Sequence, residues 1–184
     1  GEPGIGKTRL LEELASLAMA RGAQVLAGRC HELEQNVAYA PILEALRSLL
    51  PMLSAPSSPC PAARLATVAE LLPELRGMRP DLPPHYPLPP DEERARLLTS
   101  LAEVIRHCAQ SGALVVLLDD LHWADPSTLQ VFHYLARQAG DQALLLVGAY
   151  RSTRVDAHHP LAVMRDQLAR QRMLVELPLS AFRQ

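Results

Sequence analysis

Gly1-Glu2-Pro3-Gly4-Ile5-Gly6-Lys7-Thr8 matches the pattern G-x-x-x-x-G-K-[ST] at every fixed position, and Leu10, Leu11, Leu14, Leu17 and Ala18 follow it at helical spacing up to Gly22. A glycine-rich turn that runs straight into a helix is built to surround an anion. Its glycines let successive backbone N–H groups point inward, and the helix N-terminus adds its dipole to the same place. In chains of this kind a parallel strand delivers the turn, so the expected architecture is α/β.

Charge composition sharpens the point. The sequence holds eighteen Lys and Arg residues, and the one lysine among them is Lys7. Wrapping a triphosphate calls for a slim stem with a compact, rotatable charge, whereas the planar fork of Arg suits paired surface hydrogen bonds. Lys7 is therefore expected to reach the β- and γ-phosphates, with the Thr8 hydroxyl on Mg²⁺. The nucleotide-binding set is read as Gly1, Glu2, Pro3, Gly4, Ile5, Gly6, Lys7, Thr8 and Arg9.

At 184 residues and 48% hydrophobic content the chain is of one-domain size. A net charge of −2 and scattered arginines give no nucleic-acid footprint, so no direct nucleic-acid partner is expected. The apolar runs 113–118 and 143–147 are far too short to span a bilayer, and no membrane contact is expected. Cys30, Cys60 and Cys108 are widely spaced, without C-x-x-C or a histidine at metal spacing, and read as reduced thiols of a cytoplasmic protein.

Strand-like and helix-like segments alternate. Helices are predicted over 7–21, 41–50, 91–110, 125–139 and 161–170, and strands over 24–30, 113–118, 143–150 and 173–177. Asp125 is the expected N-cap of its helix, with Pro126 at the first position. Residues 51–90 contain eleven of the sixteen prolines, which predicts an irregular surface excursion with one short helix within 62–72. This is the signature of a mostly parallel sheet covered on both faces.

Leu114-Val115-Val116-Leu117-Leu118-Asp119-Asp120 is an apolar strand ending abruptly in acid, the form a metal-holding strand of a P-loop NTPase takes. Asp119 is assigned to Mg²⁺ through a bound water, and Asp120 to polarising the attacking water. His122 has no ligand partners at metal spacing and is not assigned a role. His158 and His159 read as a solvated loop.

With GEPGIGKTRLLEEL, LVVLLDDLHWADPSTLQ and LLLVGAYRSTRVD in place, the chain resembles the AAA-type ATPase module of the STAND signal-transduction NTPases. The likeness is nearest to the subgroup found in large LuxR-type transcriptional regulators and cyclase-linked predicted ATPases. It spans the chain apart from the Pro-rich excursion. The resemblance implies that the strand after the metal-binding strand ends in an arginine sensing the γ-phosphate, which is matched by Arg151, with Arg154 a weaker competitor. It implies a three-layer P-loop NTPase fold whose first, P-loop strand is missing from residues 1–184. One ATPase domain is thus expected, truncated at both ends, with 51–90 as an insertion, and the piece in isolation is expected to be poorly soluble or molten. The family's downstream lid and winged helix are not matched here. ATP is the expected nucleotide, since a guanine-reading Asn-Lys-x-Asp needs a second lysine and no transporter-type Leu-Ser-Gly-Gly-Gln occurs.

Two functions follow as expectations: a slowly ATP-hydrolysing Mg-dependent switch in a larger regulatory protein, or a nucleotide-gated oligomerisation scaffold with incidental turnover. Self-association or effector domains in the same chain are the implied partners. A small-molecule kinase is disfavoured, because the excursion 51–90 carries only Arg64, Arg76 and Arg79 where an arginine-rich acceptor lid would stand.

Overall fold

A computed structural model describes residues 4–140 and 142–179. Helix α1 (Lys7–Ala20) leads into strand β1 (Gln24–Arg29), and the chain then passes through α2 (Ala40–Arg47), α3 (Leu50–Ser54), α4 (Ala62–Val68), α5 (Pro73–Met78) and α6 (Pro90–Gln110). Strand β2 (Leu114–Asp119), α7 (Pro126–Gln138), β3 (Leu144–Gly148) and α8 (Pro160–Arg170) complete the order. All three strands are parallel in the order β1-β2-β3, with Arg29 opposite Asp119 and Leu118 opposite Gly148. Helical crossovers between parallel neighbours make this an α/β fold of the P-loop type. The register brings three strand ends together at one edge, where such sheets place their chemistry.

Strand β2 is buried along its whole length. Its alternate residues serve two cores, as a period of two requires. Leu114, Val116 and Leu118 join the larger core with Leu26, Leu46, Leu101, Ile105 and Leu135. Val115 and Leu117 meet Leu11 of α1, with Leu14, Ala18, Val25 and Val147 around them. The α1 face is the thinner of the two, and Leu145 of β3 is 48% exposed there. The expected fully buried strand over 143–150 is thus a shorter, half-covered one.

Gly28 marks a close approach. A Cβ at that position would lie 2.1 Å from the Pro41 carbonyl oxygen and 3.2 Å from Leu118 Cδ2, so β1 and the start of α2 pack backbone to backbone. Gly28→Ala is expected to cost about 3 kcal/mol or more, the upper range for forcing extra volume into a packed core, read as a drop in the denaturant midpoint. An unchanged midpoint would contradict this packing.

The Pro-rich segment departs most from expectation. Far from an irregular strap, it forms α3, α4 and α5 and buries Leu53, Leu65, Val68, Leu72 and Leu75 completely. Proline breaks helices from within but starts them well, because a first-turn residue has no intrahelical use for its N–H. Pro51, Pro73 and Pro90 occupy the first turns of α3, α5 and α6, while Pro61 stands at the N-cap of α4. Pro51 also divides the helix expected over 41–50, since its ring would clash with the carbonyl of Arg47, where α2 ends.

Residues 173–177 form no strand ladder, and Val175 and Leu177 are 83% and 76% exposed. A strand needs a neighbouring edge. This segment instead meets side chains, with the Tyr150 hydroxyl donating to Glu176 Oε1 at 3.3 Å and Arg165 Nε 3.5 Å from the same oxygen.

Candidate functional site

The turn before α1 has positive φ at Gly4 (78°) and Gly6 (91°), a backbone region that other residues rarely enter. Among the described residues no side chain caps the N-terminus of α1, whose first turn holds no acidic residue, and the positive end of the helix dipole lies at this turn. Gly1, Glu2 and Pro3 lie outside the described residues. Of the other sequence-predicted loop residues, Ile5 and Lys7 are half-buried and Thr8 is exposed. Arg9 turns along the helix, its guanidinium 2.5 Å from Glu13 and 3.8 Å from Glu12, so its charge is paired on α1.

Thr8 Oγ1 donates a 2.7 Å hydrogen bond to Asp119 Oδ2 across 111 residues of sequence. The other Asp119 oxygen accepts from the backbone N–H of Asp120 at 2.8 Å. A hydroxyl and a buried carboxylate, side by side beneath an uncapped helix N-terminus, are the donor set Mg²⁺ takes when phosphates supply its remaining ligands. Among the described residues no cluster of three or more His, Cys, Asp or Glu side chains is assembled for a metal.

Asp120 turns out of the strand in the left-handed region (φ 50°, ψ 39°), which an Asp tolerates better than most residues. Its carboxylate lies across the strand ends. Oδ2 accepts from Arg29 at 2.9 Å, while Oδ1 is 3.7 Å from Arg151 Nε and 4.0 Å from His122 Nδ1. The hydrogen bond to Asp120 raises the Arg29 guanidinium above its ordinary value. Arg29 was not singled out from the sequence. Its signal was positional: it ends the strand that pairs with β2, directly opposite Asp119.

Arg151 and Arg154 separate clearly. Arg151 faces Asp120, whereas the Arg154 guanidinium stacks over the Trp123 ring at 5.6 Å. His122 is more deeply placed than its sequence context suggests, with a fully buried side chain, neither ring nitrogen hydrogen-bonded among the described residues, and its ring 4.8 Å from that of Trp123. Burial lowers its pKa, against the pull of Asp120, so the imidazole is neutral. His159 is not the solvated residue expected. Its Nδ1 accepts from Leu161 N–H at 3.1 Å, capping α8, and Nε2 therefore carries the proton it directs at the His122 carbonyl, 3.2 Å away. Cys30, beside Asp119 at the end of β1, is held as a thiol, its pKa pushed up to about 12 by burial and then by the nearby aspartates.

Asp125 caps α7 as the sequence predicts. Oδ1 accepts from Ser127 and Thr128 N–H at 2.9 and 3.0 Å, and Oδ2 accepts from the Thr128 hydroxyl. Asp125→Ala is expected to cost about 2 kcal/mol, the high end for a cap, because Thr128 is left buried without its partner. A change below ~0.5 kcal/mol in denaturant unfolding would contradict that role.

A model of the AAA ATPase domain matches residues 1–147. The chain belongs to the AAA ATPase domain family. The match covers the glycine turn, both aspartates and β3 as far as Val147, and nucleotide binding comes with it. No curated protein and no solved structure matches the chain. Among the described residues no helix of this AAA ATPase domain is long and apolar enough to cross a membrane.

Proposed function

We propose that this AAA ATPase domain binds ATP with Mg²⁺ and hydrolyses it slowly, as the switch of a larger signalling or transcriptional regulator of STAND or LuxR type. The observation that carries the reading is the Thr8–Asp119 hydrogen bond, which joins the glycine turn to the acidic strand end. In this reading residues 1–184 are one cytoplasmic ATPase domain with 51–90 inserted in it.

Gly4 to Arg9 supply backbone N–H groups for the phosphates, and Lys7 neutralises the β- and γ-oxygens. Thr8 and Asp119 would hold Mg²⁺, which draws charge off the transferred phosphoryl group. Asp120 orients the attacking water and takes up its proton, and Arg151 reaches the γ-phosphate from the end of β3. Hydrolysis of this kind depends on positioning and charge neutralisation rather than on covalent catalysis, which is why a lysine, a hydroxyl, two carboxylates and an arginine suffice. Slow turnover fits Asp120, since Arg29 holds one of its two oxygens.

That same ion pair favours a second reading, a nucleotide-gated oligomerisation scaffold in which turnover is incidental. Signalling output measured alongside ATP hydrolysis separates the two. Output that disappears with hydrolysis supports the switch, and output that persists without hydrolysis supports the scaffold.

A further inference from the structure

Two of the three cysteines meet where the Pro-rich segment packs on α6. Cys60 and Cys108 place their sulfurs 4.0 Å apart, and the Cys60 thiol donates to the Val104 carbonyl at 3.6 Å. Both residues are buried, 6% and 0% exposed, but they differ in setting. Cys108 lies inside α6, whereas Cys60 sits in the short turn before α4, between a half-buried Pro59 and an exposed Pro61. A small oxidant thus has one thin, non-helical wall to pass. Cys30 lies by Asp119 just past the end of β1, at the opposite end of the strands from the α6 C-terminus that leads into Leu114.

We propose that Cys60 and Cys108 are a modification site, a dithiol that hydrogen peroxide converts to a disulfide within the folded protein. In the first step the Cys60 sulfur attacks one peroxide oxygen: an S–O bond forms, the O–O bond breaks, and the released hydroxide takes up the thiol proton as water. Cys108 then attacks the Cys60 sulfur, so the S–S bond forms, the S–O bond breaks and a second water leaves with the Cys108 proton. The two thiols lose two electrons and the peroxide gains them. The order of attack follows access, since Cys60 lies in the turn before α4 and Cys108 inside α6. Hydrogen bonding from Cys108 lowers the Cys60 pKa, while the same contact and burial raise that of Cys108. The bond spans 48 residues and fastens the Pro-rich segment to the helix that delivers β2.

Chain statistics make the pairing diagnostic. In an unfolded chain the shorter ring closes more readily, which favours Cys30 with Cys60 over Cys60 with Cys108. Full-length protein is treated with stoichiometric hydrogen peroxide well below its unfolding temperature, alkylated, and mapped by peptide mass spectrometry. The expected result is a Cys60–Cys108 cross-link with Cys30 alkylated, reversal by dithiothreitol, the same link in Cys30→Ser, and a raised thermal midpoint in the oxidised form. In Cys108→Ser no link should form, and Cys60 should be trapped as a sulfenic acid by a dimedone probe. Alkylation of both Cys60 and Cys108 at a peroxide dose that oxidises a free cysteine peptide would overturn the proposal. So would a link through Cys30, or sulfinic acid at Cys60 with Cys108 still alkylated in the wild type.

Discussion

Lys7→Ala is expected to weaken Mg-ATP binding by at least a hundredfold while leaving the thermal midpoint within a few degrees of wild type. Two charge-assisted hydrogen bonds to phosphate, at about 1.5–3 kcal/mol each, correspond to roughly 10²- to 10⁴-fold in affinity. The fold is expected to survive because Lys7 stands at the first position of α1 and Ala is the best helix former available there. Lys7→Arg provides the sharper contrast. The charge is kept, yet the planar fork does not fit a loop closed by Gly4 and Gly6, so binding should fall by a similar factor. Titration calorimetry on full-length protein reads both variants. Near-normal affinity in Lys7→Ala would remove the glycine turn from the nucleotide site.

The second large effect is expected at Asp120. Asp120→Asn preserves volume and keeps one oxygen for Arg29 while removing the group that takes the proton from water. Hydrolysis should therefore fall about a hundredfold or more, the usual scale for losing a positioned base, with ATP affinity changed less than about threefold. Phosphate release under single-turnover conditions reads the chemical step, and calorimetry reads the binding. Undiminished hydrolysis would transfer the role to another group, and His122, 4.0 Å from Asp120, would then be the side chain to vary next.

The parts of this domain that rest on local rules were legible in advance. The glycine turn running into α1, the buried strand β2 and the Asp125 cap of α7 each follow from a few adjacent residues, and each stands within a residue or two of its expected place. The α/β class followed from their alternation. What failed depended on context. Prolines break helices from within, yet five of the eleven in 51–90 stand at first-turn or cap positions of α3, α4, α5 and α6. Residues 173–177 have the composition of a strand, but a strand exists only against an edge, and they meet α8 and Tyr150 instead. Arg29 was hidden among many arginines, because strand pairing rather than sequence spacing brings it to Asp120.

In the proposed site one nucleotide and Mg²⁺ are held together between the glycine turn and Asp119. Calorimetric titration of the full-length protein with ATP, once with Mg²⁺ and once with a chelator, tests it most directly. One site per chain is expected, with affinity at least about tenfold lower without Mg²⁺, since Thr8 and Asp119 then have no cation to share with the phosphates. No binding, or the same affinity under both conditions, would contradict it.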